Sequence, residues 1–529
     1  MVVSVAALTG GTGAEAAPRV PAAAGVSTLS WTPCGDLDCS TLQVPLDYAH
    51  PTGAKITLAL TRKKANPAKA YYGMMLTNPG GPGASGTSLP VLSDYVPHDA
   101  GAHYDWIGFD PRGVGESSPS LHCNAKYFGP NRPSFTPTTR SIMNFWVSKT
   151  MRYSRQCGAS AAKRILPFVT TRDSVRDMES IRAAYQAGFT VLDPKRAKLD
   201  KLNFYGFSYG TYLGQVYAVT YPSKVGRFVL DGVLDPQTYW YRANLQQEIG
   251  FDNNLNRYFQ WLARHPGSFG LGTNWRTIAS GFKAELRKLD RHPAAGGRLG
   301  PDELIDAMLS AGYYVYGWDS IGQAYSELRL HGRGGPMFSL YAGGNMGDDN
   351  GYAMYLATQC TDVHRPAWSK QVADARRINQ KHPFLAWDNT WYNAPCRNWP
   401  APSRARIGVN GAGVHAKILM INETFDAATP YAGALSARSL FPSASLIEGV
   451  NGTTHAGSLS GVPCVDNRIA TYLNSTNGTV PARKAGRTSD VRCPKVPPPP
   501  VGPGRVARTT ASAGVPTDLR TKIFAGQIG

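Results

Sequence analysis

No stretch of ~18 or more apolar residues occurs, so the sequence offers no membrane-spanning helix. Cys-x-x-Cys is missing, which removes the commonest zinc and thiol-redox spacings. His-Glu-x-x-His is missing as well, and no His, Asp and Glu fall together at metal-ligand spacing; neither a metal nor a cofactor is expected. Zinc-finger spacings and RNA-binding aromatic signatures are also lacking, which argues against nucleic acid as a partner. The 56 glycines and 39 prolines follow no triplet period, which excludes collagen. Charged residues make up only 17% of the chain. With 42% hydrophobic residues it is nonetheless too apolar to be wholly disordered.

What is present starts with charge. Lys and Arg number 55 against 36 Asp and Glu, a formal +19 over 529 residues. Part of that excess is local, because nine basic residues face Asp490 and Asp518 between Gly478 and the end. A solvated basic surface needs no partner; the functional reading is attraction to acidic polymers, anionic lipid headgroups or an acidic cell wall, with an acidic cell-wall polymer as a candidate partner of the basic, Pro- and Gly-rich tail. A monomer is expected.

The eight cysteines fall into four sequence-local couples, as disulfides in an oxidising compartment do. Proximity pairs Cys34 with Cys39, Cys123 with Cys157, Cys360 with Cys396 and Cys464 with Cys493. Val2 to Leu8 is a short apolar run, and Ala14-Glu15-Ala16 resembles a cleavage site, but a basic n-region is missing. A truncated export signal and a secreted, extracellular location are expected.

Apolar runs alternate with helical patterns. Thr41 to Tyr48 and Lys55 to Thr61 read as half-buried strands. Tyr71 to Thr77 is a buried strand stopping at Asn78-Pro79-Gly80-Gly81-Pro82-Gly83, and Tyr104 to Phe109 another stopping at Asp110-Pro111-Arg112-Gly113. Arg112 and Glu116 are expected to brace the latter loop. Helical spacing runs from Asp173 to Ala187, and the strands Leu202 to Tyr205 and Phe228 to Val233 follow. Such alternation predicts an α/β fold with a doubly wound, mostly parallel sheet.

From Asp235 to about Pro402 the pattern turns helical and aromatic, which reads as an inserted cap. Strand patterns resume at Ala416 to Asn422 and Ser445 to Glu448, with helices at Pro430 to Leu440 and Val465 to Asn474. The expected organisation is a processing segment over 1–30, core over 31–234, cap over 235–402, core over 403–493 and a disordered basic tail over 494–529.

The sharpest chemical signal is G-x-S-x-G at Gly206 to Gly210, between an apolar strand and a helix. A turn that tight exposes the Ser208 hydroxyl above the sheet as a nucleophile. A serine needs a histidine to take its proton and an acid to orient the histidine, in the chain order Ser, acid, His. Beyond the cap His455 stands in a loop after a strand, with His415 only at the edge of the resuming sheet. Glu423, Asp426 and Glu448 are the acids before it, and Asp426, at a loop-to-helix junction, is the expected partner. Asp231 is the alternative. Tyr209 N–H and the N–H of Gly81 are the expected oxyanion donors.

Together N-P-G-G-P-G at 78–83, D-P-R-G-x-G-x-S at 110–117, G-F-S-Y-G-T-Y-L-G at 206–214, D-A-A-T-P at 426–430 and H-x-G at 455–457 resemble the secreted tripeptidyl aminopeptidases of actinomycetes. These are relatives of the proline iminopeptidases with the α/β-hydrolase fold. The resemblance spans about Trp31 to Cys493 and implies release of short peptides, tripeptides above all, from the free N-termini of peptides or proteins. It also implies that acidic cap residues hold the substrate amine. The cap offers Asp319, Glu327, Asp348, Asp349 and Asp362, with Asp362 in a C-x-D element that resembles one of the family. An esterase or lipase with the same triad is the rival reading, because the triad alone does not separate ester from amide. A non-catalytic protein that binds a wall polymer is the rival of another class.

Overall fold

The computed structural model describes residues 28–193, 198–475 and 478–502. Ten strands form one sheet: β1 (Thr32–Cys34), β2 (Leu37–Pro45), β3 (Lys55–Lys63), β4 (Gly73–Asn78), β5 (Tyr104–Phe109), β6 (Leu202–Phe207), β7 (Val225–Asp231), β8 (Ile418–Glu423), β9 (Ala444–Val450) and β10 (Val491–Pro494). Their spatial order is β1-β2-β3-β5-β4-β6-β7-β8-β9-β10. The first three strands and the β3/β5 pair are antiparallel, and every neighbour from β5 to β10 is parallel.

Burial explains why the strands read so differently in sequence. β4, β5, β6 and β8 are buried at every position, since helices cover both faces of the parallel part. β2 and β3 alternate, as strands with one wet face do. Met74, Leu76, Phe204, Phe228 and Met420 point into one core layer; Met75, Tyr205, Val229, Leu419 and Ile421 point into the other. Period-2 alternation splits these parallel strands between two cores. No helix among the described residues is long and apolar enough to cross a membrane.

The expected helices are present at Thr171–Leu192, Tyr209–Thr220, Tyr431–Leu440 and Pro463–Asn474. A further helix, Arg140–Ala159, is not among the sequence expectations; its apolar stripe is carried by Trp146, Thr150, Tyr153 and Cys157. It packs on the helical insertion, not on the sheet: Trp146 stacks on Trp391, and Ser154 Oγ donates to Pro395 O at 2.6 Å. Residues 122–160 therefore belong physically with the insertion that fills the interval between β7 and β8.

The disulfides join Cys34–Cys39, Cys123–Cys157, Cys360–Cys396 and Cys464–Cys493, the pairs that proximity gave. The expected boundary of the tail needs correction. Val491–Pro494 adds a parallel strand to β9, and Val496 is buried, its N–H donating to Glu423 Oε1 at 2.7 Å. The expected export signal, and the tail beyond 502, lie outside the described residues.

Candidate active site

Six parallel strands deliver loops to one edge of the sheet, and the motif residues stand on those loops. β4 ends at Asn78, β5 at Phe109, β6 at Phe207, β7 at Asp231, β8 at Glu423 and β9 at Val450. The carboxyl ends of parallel strands are where an open α/β sheet collects ligand-binding groups.

Ser208 follows β6 and caps the helix Tyr209–Thr220 with φ 55° and ψ −124°. A non-glycine residue held at positive φ costs on the order of 1–3 kcal/mol and persists only where its surroundings enforce it. Here they do. A Cβ on Gly206 would lie 2.7 Å from Gly210 O, and one on Gly210 would lie 2.7 Å from Asn78 O, so both flanking glycines are required by contact. The half-buried Ser208 lines a cavity together with Gly81, Tyr209, Trp240, Tyr313, Asp388 and Thr429.

His455 is wholly buried, and its Nδ1 lies 2.7 Å from Asp426 Oδ2. Asp426 is held in turn by the N–H groups of Ala428 and Thr429, each 2.9 Å from Oδ1. Thr429 Oγ1 donates to Asp426 Oδ2 at 2.9 Å and lies 3.2 Å from His455 Nδ1. The imidazole rests on Gly232, where a Cβ would sit 2.8 Å from its Cε1. Phe207 pairs with Asp231 across β6 and β7, so Ser208 and Gly232 are neighbours about one strand spacing, ~4.8 Å, apart. His455 Nε2 is buried and has no hydrogen-bond partner among the described residues. A bond from Ser208 Oγ to it is likewise not formed; such bonds often tighten only in the substrate complex.

The loop carrying His455 is gripped from two sides. Thr454 N–H donates to Glu423 Oε2 at 2.5 Å, and a Cβ on Gly452 would collide with the Glu423 carboxylate. From the insertion, Tyr313 O accepts His455 N–H at 2.8 Å, and Tyr316 OH lies 2.8 Å from Ser460 Oγ. Burial pushes the Glu423 carboxyl up to about 8, against the two backbone donors that lower it. Asp231, the alternative acid, instead accepts Ser458 N–H at 2.7 Å and so anchors the far end of this loop.

The first turn of the helix leaves N–H groups without intrahelical partners, and Tyr209 N is the first of them. The turn after β4 is pressed against it: a Cβ on Gly80 would lie 2.5 Å from Phe207 O and 3.0 Å from Tyr209 N. Gly81 follows in the same turn on the cavity wall. Arg112 braces the neighbouring loop, its guanidinium paired in the core with Asp177 at 2.6 and 2.7 Å.

Asp362 is not on the cavity wall. It lies behind Tyr209 and Trp240, its oxygens taken by Thr171 N–H at 2.7 Å, Thr171 Oγ1 at 2.5 Å and Trp240 Nε1 at 3.3 Å. Burial pushes it up to about 7. None of Asp319, Glu327, Asp348 and Asp349 lines the cavity either. Its acids are Asp235, where the insertion begins, and Asp306 and Asp388 deeper within it, none of them singled out by sequence as a ligand for the amine. Asp388 is held well above the ordinary carboxylate range by burial and then by Asp306; Glu248, behind Asn389, is pushed up to about 8 by burial. Arg132 is bonded to Asp306 at 2.7 Å and to Glu303 at 3.0 Å, a cation shared among several acids.

A nucleophile-bearing turn over a mostly parallel sheet, with helices on both faces, defines a serine hydrolase of the α/β-hydrolase class. A family model described as "TAP-like protein" matches residues 382–493. The chain is 33% identical over 488 residues to a tripeptidyl aminopeptidase of Streptomyces coelicolor, covering 88% of this chain and 87% of the relative. It therefore belongs to the tripeptidyl aminopeptidase family. It is also 26% identical to the serine protease Hip1 of Mycobacterium tuberculosis, over 86% of this chain and 89% of that one. A carboxylesterase B of the same organism is 29% identical, over 90% and 93% respectively.

Proposed function

We propose that the protein is a secreted serine exopeptidase that releases tripeptides from free N-termini through an acyl-enzyme. Ser208 attacks the scissile carbonyl while His455 Nε2 takes its proton. Asp426 holds the imidazole with Nδ1–H toward it and stabilises the imidazolium that forms. The oxyanion of the tetrahedral intermediate takes hydrogen bonds from the N–H groups of Tyr209 and Gly81. His455 then returns the proton to the leaving amine, and water repeats the sequence on the ester.

The observation that carries this reading is the His455–Asp426 pair at 2.7 Å, with Nε2 unbonded beside the turn that presents Ser208. The four disulfides fit an oxidising, extracellular compartment.

The helical insertion acts as a cap, and Asp388 and Asp306, with Glu248 behind them, are the acceptors for the substrate's α-ammonium. Burial and neighbouring acids hold the carboxyls of Asp388 and Asp306 above the ordinary range, and an incoming ammonium is a countercharge that favours their ionised forms. The distance from that acidic end to Ser208 then sets how many residues are removed.

The test compares a free tripeptide p-nitroanilide, its N-acetylated form and a p-nitrophenyl ester. Preference for the free peptide supports the reading. Equal turnover of the blocked peptide removes the exopeptidase, and turnover of the ester alone leaves an esterase.

A further inference from the structure

We infer that His122, Asp348 and Asp349 form a binding site for a zinc-type divalent cation, outside the cavity that Ser208 lines. The sequence separates His122 from the two acids by more than two hundred positions, so ligand spacing does not reveal it. The fold brings His122 Nδ1 to 3.0 Å from Asp348 Oδ1 and 3.7 Å from Asp349 Oδ1, and the three atoms lie within 4.8 Å of one another.

The independent sign is Asp349. Its side chain is 1% exposed. Oδ2 accepts the N–H groups of Cys123 and Asn124 and the hydroxyl of Tyr153. Oδ1, equally buried, faces the cluster and has no hydrogen bond among the described residues. A buried carboxylate oxygen without a hydrogen bond is costly to leave in the fold, and a cation would satisfy it.

The imidazole is oriented for ligation. Its Nε2 lies 3.2 Å from Ser120 Oγ, which also accepts a hydrogen bond from Asn350 Nδ2 at 3.0 Å. A proton on Nε2 toward Ser120 leaves the Nδ1 lone pair pointing at two carboxylates, as in metal-bound histidines, whose other ring nitrogen donates to a neighbouring oxygen. Bonds of about 2.0–2.2 Å in a tetrahedron set ligand atoms ~3.3–3.6 Å apart, and the two separations from Nδ1, 3.0 and 3.7 Å, bracket that range. Nitrogen with two carboxylates suits zinc better than calcium, which takes oxygen in larger number. His122 and Asp348 are about half and two-thirds exposed, so an ion can enter and water can complete the shell.

Bound there, the ion would fasten the Cys123 loop to the start of the helix Asn350–Asp362, which places Tyr355 and Gln359 in the cavity wall. Its effect is on stability.

The experiment titrates the full chain, freed of metal with EDTA, with zinc chloride and separately with calcium chloride, by calorimetry and by thermal melting. One equivalent of zinc binds, Tm rises saturably, and calcium binds at least ~10-fold more weakly. His122→Gln and Asp348→Asn each weaken zinc more than ~10-fold, with the metal-free Tm unchanged. No saturable zinc binding by the parent chain overturns the inference. So does zinc affinity unchanged in both variants, which puts the ion elsewhere. A fall in metal-free Tm for His122→Gln, with no zinc effect on the parent, assigns the cluster to an ion pair and also overturns it.

Discussion

Thr429 Oγ1 donates to the same Asp426 oxygen, Oδ2, that receives His455 Nδ1. A hydroxyl is thus built into the acid–imidazole contact. Asp426→Asn keeps the shape but offers Nδ1 a donor or the wrong tautomer, and kcat for a tripeptide anilide should fall roughly 10³–10⁴-fold. Thr429→Val removes one hydrogen bond to a carboxylate, ~1.5–3 kcal/mol, so kcat should fall about 10–100-fold with KM little changed. Kinetics on the two variants check both. A Thr429→Val enzyme as fast as the parent would make the hydroxyl incidental.

Gly80 is where backbone of the β4 turn meets backbone of the serine turn. Its φ is +100°, and a Cβ there would stand 2.5 Å from Phe207 O and 2.9 Å from Ser208 Cβ. Gly80→Ala should therefore displace the turn that carries Gly81, with kcat reduced at least ~100-fold, the scale of losing one oxyanion donor. Circular dichroism and kcat measured together check this, since the sheet itself should persist.

Asp388 faces the cavity among other acids. Asp388→Asn should raise KM for free tripeptide substrates by about 10-fold or more, the scale of one charge-assisted hydrogen bond. Turnover of a small ester should be unaffected. Equal loss on both substrates would place the effect in the fold and not at the amine.

Glu423 has a pH consequence with a definite sign. Burial raises its carboxyl from 4.5 to about 8 in the folded chain. A group raised on folding contributes its stability fully below the unfolded value, and loses it as pH rises through the folded one. Tm should fall between about pH 5 and 9, and Glu423→Gln should flatten that fall. The amide also leaves one backbone donor, Thr454 or Val496 N–H, badly matched, so Tm at pH 5 should drop by the effect of ~1–3 kcal/mol. Melts across pH on the two chains check both effects.

Much of the candidate site is legible in the sequence, because its parts are local. Gly206 to Gly210 encode a turn by steric necessity, and Asp426 and His455 follow strands whose apolar runs mark them. The residues proposed as acceptors for the amine are not legible in the sequence. Asp362 sits in a sequence element resembling the family's, yet Thr171 and Trp240 occupy it, while Asp306 and Asp388 come from separate helices that only tertiary packing joins. β10 escaped notice because four residues, Val491–Pro494, are too few to show a period. The helix Arg140–Ala159 packs on the insertion, so its neighbours in sequence gave no hint of its partner. His122 and the aspartates at 348 and 349 have the same origin, a contact between distant segments.

The most direct measurement takes one unblocked decapeptide, incubates it with the parent chain and with Ser208→Ala, and follows products by mass. Successive losses of three residues from the N-terminus are expected with the parent, and an intact peptide with Ser208→Ala. Internal fragments, removal of residues one at a time, or products persisting in the Ser208→Ala sample would contradict it.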